Sequence, residues 1–388
     1  MTQAVALAAP SDRLDRFGAL ALFGVAGAVL FSIAVAQILL AFAVACWIGV
    51  LVTRRERVET PAFFWPLAAY GGITLVSAAF SIEPRVSFID CKQLVLFLVV
   101  PLTFRFVTGS RAMTMTVVIL SFAAASAAYG IVQYAMITIN PLIQRPHGTL
   151  GHYMTYSGLL MLVMGIAVAK ILFGRSDRMW AAAVMPALAV AVVVTLSRSA
   201  WVGACAAAAL LLSLKDFRLL AVLPIVAAIF FAAAPPAVMA RFVSIFDIKD
   251  PTNRDRLAML REGEHMIRAH PLMGVGPNMV QVLYSEYRDP DAVEKVNPHL
   301  HNVPVQIAAE RGLPALAIWL WFIIALTVDT ARRFHASRER FLPAAALAAI
   351  IAMLAAGMFE YNFGDSEFLM MFLIIVTLPF AAERPAPA

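Results

Sequence analysis

Two histidines and two asparagines stand in NPHLHN, residues 297–302, at the end of the longest polar interval of a very apolar chain. A neutral imidazole titrates near ~6.5 and can take the proton of an alcohol as its oxygen attacks an electrophile. His301 is therefore the candidate general base. Asn302 suits the N-cap of a helix running through VPVQIAAER. Gly312 suits the position just past that helix, and Pro314 the first turn of the next one. His299 lies two residues earlier on what reads as an extended segment, so its side chain should project elsewhere than that of His301. Glu310, two turns along the helix from Asn302, can orient an acceptor hydroxyl or pair with Arg311 at the surface.

The elements that must position these groups are membrane spans. The 388 residues are 62% hydrophobic and 14% charged, well below the roughly 25% charged of a soluble domain. Apolar runs near 20 residues recur, each long enough to cross a ~30 Å hydrocarbon core. The pattern predicts an all-α polytopic membrane protein of about twelve transmembrane helices. The apolar run 17–52 is too long for one upright helix and divides near Ser32. Spans follow over 62–80, 88–104, 112–137, 153–173, 180–196, 200–214, 219–234, 313–330, 341–359 and 368–381. The N-terminus lacks the regions of a cleavable signal peptide, so the first span should stay as an anchor. Lys and Arg concentrate in RRER, RFVTGSR, GRSDR, KDFR and RRFHASRER, which puts those turns and both termini in the cytoplasm. The net charge of +6 is thus loop bias rather than a nucleic-acid footprint. Residues 235–311 fall on the outer face. That interval holds 10 of the 24 acids, and no repeat or low-complexity tract, so it should be structured. Thr252-Asn-Arg-Asp255 has capping-box spacing for a helix to about Ala269, with Leu257, Leu260, Glu264 and Ile267 on one interfacial face. A turn at MGVGPN and a short helix over NMVQVLYSEY should follow.

These residues resemble the O-antigen ligase and polymerase superfamily, membrane glycosyltransferases that use polyprenyl-diphosphate-linked glycans. His301-Asn302, nine residues, Gly312 and two further residues match the family pattern, and Ala315 departs from it at the last position. TNRDRLAMLREGEHMIRAHPLMGVGPN, TLSRSAWVGA and RPHGTLGHYMTYSG resemble other family segments, so the likeness spans roughly 140–330. It implies a GT-C-type enzyme of the bacterial inner membrane. An undecaprenyl-diphosphate glycan would be the donor, a lipid A core or other glycan the acceptor, and the anomeric centre would be inverted. O-antigen ligase is the first reading; an O-antigen or exopolysaccharide polymerase and a protein O-oligosaccharyltransferase are the alternatives. A departing diphosphate needs fixed cations, and the planar arginine fork pairs two phosphate oxygens. Arg198 at the outer end of a span, Arg254 and Arg256 at a helix start, and Arg145 near His147 and His152 are the candidates. Asn302, His299 and Glu310 are candidates for contacting glycan or acceptor.

Neither metal nor cofactor is expected. Asp289-Pro-Asp291 has the spacing of a metal-holding pair, but the proline and the adjacent Glu294 and Lys295 read as a solvated turn. His299 and His301, two apart on an extended segment, form no zinc pattern. The three cysteines suggest neither disulfide nor zinc, and P-loop and dinucleotide fingerprints are absent. A polysaccharide transporter is the reading from another class, disfavoured by nearly charge-free spans and the lack of internal repeats. The chain divides into a membrane part over 1–234, an outer loop with the catalytic motif over 235–312, and a second membrane part over 313–388.

Overall fold

The computed structural model describes residues 10–137 and 144–384. The expectation that residues 1–9 carry no signal peptide, and the placement of both termini, lie outside the described residues. The described chain is helical throughout. In order it forms α1 (Pro10–Ala28), α2 (Ile33–Arg54), α3 (Phe64–Ala79), and α4 (Pro84–Asp90), which continues through a tighter stretch into α5 (Val99–Phe106). Then come α6 (Ser110–Ala135), α7 (Tyr153–Phe173), α8 (Arg178–Val194), α9 (Arg198–Lys215), α10 (Val222–Ala233), α11 (Pro236–Val243), α12 (Pro251–Ala269) and α13 (Met279–Tyr287). α14 (Val303–Ala336), α15 (Phe341–Gly357) and α16 (Ser366–Ala382) complete it.

Five helical segments among the described residues are long and apolar enough to cross a membrane: Ile33–Arg54, Pro84–Phe106, Ser110–Ala135, Tyr153–Phe173 and Val303–Ala336. Shorter apolar helices lie beside them. The long run at 17–52 divides as expected, with α2 capped by the Ser32 hydroxyl. α15 and α16 are buried on nearly every side and form the middle of the bundle, with α7 and α9 against α15 and α5 against α16. Such all-round apolar faces carry no periodic stripe, so their central place is a property of the tertiary packing.

Polar contacts sort to the two ends of this bundle. At one end Arg54 meets Asp15 at 2.8 Å, Arg105 meets Glu56 at 2.7 Å, Arg175 meets Glu339 at 2.7 Å, and Arg333 meets Glu383. At the other, α12, α13 and the first turns of α14 form a cap with its own small core of Met259, Met266, Val275, Met279, Val280, Leu300 and Ala309. The capping residue of α12 is Asp250, which accepts from the Thr252 and Asn253 amides, rather than Thr252. Pro251 occupies the first helical position, where its missing N–H costs nothing, and so the cap lies two residues earlier. The face of Leu257, Leu260 and Glu264 is the exposed one, while Ala258, Met259 and Met266 pack inward.

Gly312 locks cap to bundle. Its φ of 83° and ψ of 167° break α14 into two helices, with Pro314 opening the second. There the Leu313 amide donates to the Pro271 carbonyl at 2.8 Å, and the Val275 and Gly276 amides donate to the Ala309 and Glu310 carbonyls. A Cβ at Gly312 would collide with the Leu272 carbonyl, in a backbone region that only glycine occupies freely. Gly312→Ala should therefore destabilise the protein by more than about 2 kcal/mol, read as a lower melting midpoint in detergent; an unchanged midpoint would show that the kink is not a lock.

Candidate active site

His301 sits in a left-handed backbone conformation, φ 49°, between an extended segment and α14. Two bonds fix that turn. The Leu300 amide donates to the Gln306 side chain at 2.6 Å, and Asn302 caps α14 by accepting from the Val305 amide at 3.0 Å. The Asn302 amide nitrogen also donates to the Met358 carbonyl at 3.1 Å. Asn302 is thus the expected N-cap, with both ends of its side chain already engaged.

The structure also corrects the expectation for His299. Side chains two residues apart on an extended segment share a face rather than diverge, and His299 and His301 meet the same group. Their rings stand edge to face at 4.2 Å. Both meet Glu360, with His301 Nδ1 at 3.0 Å from one carboxylate oxygen and His299 Nε2 at 3.8 Å from the other. Glu360 lies in the short connection between α15 and α16 and was missed in the sequence reading. Its signal was there: Glu360, Asp365 and Glu367 cluster in eight residues between two apolar spans.

Burial would raise the Glu360 carboxyl, but the His301 and His299 rings and the Arg256 guanidinium outweigh it and hold it at about 2. It is therefore ionised at neutral pH and can only accept hydrogen bonds. His301 Nδ1–H donates to it, which leaves Nε2 with the free lone pair that a base needs. Burial, with His301 adding to it, pushes the His299 imidazole down to about 4, so His299 is neutral.

His301 and Arg256 line both of two adjoining cavities. One, of 280 Å³, is an apolar cleft walled by Val202, Ile248, Leu257 and Leu260, with Arg198 at its side. The other, of 760 Å³, is the more polar of the two, with His152, Thr155, His299, Glu360 and Asp365 on its wall. Arg256 makes no hydrogen bond or ion pair among the described residues; the Phe359 ring lies 6.0 Å from its guanidinium. Burial pulls the Arg256 guanidinium down from its ordinary value, opposed by the Glu360 charge.

The other arginines divide. Arg198, buried at the start of α9, donates to the Ser244 carbonyl at 3.0 Å and reaches Asp250 at 3.4 Å, with its Nε buried and unpartnered. Arg241 of α11, another residue missed in the sequence reading, donates to the Leu196 carbonyl at 3.3 Å and stands 4.0 Å from Asp250. Burial and the neighbouring Arg198 and Arg145 push it down to about 10. A lone cation within an apolar run, PPAVMARFVSIF, was the available sign. Arg145 stacks 4.4 Å from the Tyr153 ring and approaches the Leu196 carbonyl at 3.5 Å. Arg254 is not brought to the site. Two residues from Arg256 on a helix, it points to the opposite side and donates to the Asp291 carbonyl.

One further expectation fails. Glu310 lines neither cavity; it is fully buried against Arg311 at 2.7 Å, and Arg311 also reaches Asp90 at 3.6 Å. This is an interior ion pair rather than a surface one, and it holds α14 against α4. Asp289 and Asp291 are both engaged by Arg261, at 2.7 and 3.0 Å.

Residues 183–320 match the family model described as O-antigen ligase. There the chain resembles the O-antigen ligase and polymerase superfamily. The matched segment contains Arg198, Arg241, Arg256, His299 and His301, and ends before Glu360, which the fold brings in from 59 residues along the chain. No curated protein matches the chain. Apolar helices and the family match together point to a membrane protein, and the family it resembles is glycosyltransferase-like.

Proposed function

We propose that the chain transfers a glycan from an undecaprenyl-diphosphate donor to an acceptor hydroxyl on the outer face of a bacterial inner membrane. O-antigen ligase, with lipid A core as acceptor, is the first reading. A polymerase or a protein O-oligosaccharyltransferase uses the same chemistry with another acceptor, and the family match supports all three alike. The observation that carries the proposal is the shared wall of His301 and Arg256 between an apolar and a polar cavity. A donor with a lipid tail and an anionic headgroup suits the apolar cleft, and a hydroxyl-rich acceptor suits the polar one.

In the reaction the acceptor oxygen attacks the anomeric carbon while the bond to the diphosphate oxygen breaks. The acceptor proton passes to His301 Nε2, and Glu360 stabilises the imidazolium so formed. The diphosphate leaves with the electron pair, its charge met by Arg256 and Arg198. Attack opposite the leaving group inverts the anomeric centre. Arg145 and Arg241 support the positive field from behind. The lysine and arginine bias of the connections supports cytoplasmic termini, twelve crossings and an outer-face cap.

Purified protein in detergent, given a polyprenyl-diphosphate glycan and a lipid A core acceptor, should form the joined product in excess EDTA. Failure with every polyprenyl-diphosphate donor, or a strict magnesium or manganese requirement, would sink this reading. A topology reporter inserted near Asp291 should read outer-face, and reporters after Arg57, Arg178, Arg218 or Arg340 cytoplasmic. A cytoplasmic signal at Asp291 would put the cap on the wrong side for this donor.

A further inference from the structure

The pair of histidines on one carboxylate has a second chemical capacity. One ligand atom each from His299, His301 and Glu360 lies within 4.8 Å of the others, and among the described residues no other such group of His, Cys, Asp or Glu forms. We propose that these three side chains form a site for a zinc-class divalent ion, and that filling it silences the transfer reaction.

The spacing suits the ion. Ligand atoms about 2.1 Å from a tetrahedral zinc stand roughly 3.4 Å from one another. His301 Nδ1 lies 3.0 Å from one Glu360 oxygen and His299 Nε2 3.8 Å from the other, and one ligand atom from each residue falls within 4.8 Å of the others, so side-chain shifts close the set. Two imidazoles and one carboxylate favour zinc over magnesium or calcium, which take oxygen ligands. The three groups are held from outside the cluster: the Gln306 and Asn302 bonds fix the histidine turn, and the Tyr361 amide donates to Glu360 at 3.2 Å. His299 Nδ1 is buried with no hydrogen-bond partner. The polar cavity of 760 Å³ leaves room for water as a fourth ligand. Arg256 also lines this cavity, and its opposing charge makes the site a reversible one rather than a structural one.

The silencing rests on the reading of His301 as the base. An imidazole bound to metal through one nitrogen carries its proton on the other, so neither nitrogen is left to accept one. Zinc on this cluster therefore removes the base and engages its carboxylate at once.

The test uses the full chain in detergent, stripped with EDTA and titrated with cobalt as a coloured probe and then with zinc. One cobalt per chain should bind with the visible absorption of a four-coordinate site, and zinc should displace it. His299→Ala and Glu360→Gln should each weaken zinc binding by at least about 100-fold, with melting midpoints matched to the parent's. Because His299 lies on the cavity wall, its variant keeps the test open should the buried Glu360 variant fold poorly. Transfer by the parent should fall as zinc fills the site, return on chelation, and ignore magnesium. No stoichiometric binding, or equal affinity in parent and His299→Ala, overturns the site. Zinc bound here with transfer unchanged overturns the silencing and counts against His301 as base, whereas loss of transfer in zinc-free His301 variants tests that role separately.

Discussion

His301→Ala should lower glycan transfer by about 10²–10⁴-fold, the usual contribution of a positioned general base. Donor affinity and melting midpoint should stay near the parent's, because the ring borders a cavity instead of filling a core. The backbone at 301 is left-handed, which Asn tolerates better than Ala. His301→Asn therefore keeps the turn and removes only the base, and it should be as inactive as His301→Ala. Glu360→Gln should lose much of the same activity, since an amide can donate to Nδ1 and so leave the ring proton on Nε2, where the lone pair is needed. If the pair acts as a unit, the His301→Ala, Glu360→Gln double variant should be no slower than His301→Ala alone. Losses that multiply would mean that Glu360 acts on substrate independently, and a His301→Asn variant working at the parent rate would end the base mechanism.

Much of this was legible along the chain because it is local. Asn302 as cap, Gly312 as helix break and Pro314 as restart follow from the backbone needs of one short stretch, and the structure has all three. Apolar runs located the helices for the same reason, since length and hydropathy are local quantities. What escaped the sequence depended on contacts between distant segments. Glu360 reaches His301 only because α14 and α15 pack so that their connections meet at the cap. Glu310 shared the favourable helix with Asn302, but the face it occupies turns to α4 and Arg311. For His299 the misreading was of the period: side chains alternate along an extended segment, so residues two apart share a face, and the two rings stand together.

The two arginines at the start of α12 separate a catalytic cation from a merely basic helix. Spacing alone treats Arg254 and Arg256 alike, since each is near the positive end of the same helix. The fold does not. Arg256 stands on the wall shared by both cavities with the Glu360 charge near it but no direct ion pair or side-chain hydrogen bond among the described residues, so its donors are available to a ligand. Arg254 is exposed and spends a hydrogen bond on the Asp291 carbonyl. Arg256→Ala should therefore cost transfer about 10²–10³-fold, as loss of one fixed donor to a developing anion does. Arg256→Lys should recover part of this, because it restores the charge and not the two-pronged geometry. Arg254→Ala should stay within about twofold of the parent, as an exposed substitution away from the site. The contrast also separates field from contact. A general electrostatic role would make the two alanine variants similar and would let added salt depress the parent as strongly as either one. A diphosphate held by Arg256 predicts that the loss in its variant persists at high salt, and equal losses from Arg254→Ala and Arg256→Ala would remove Arg256 from the mechanism.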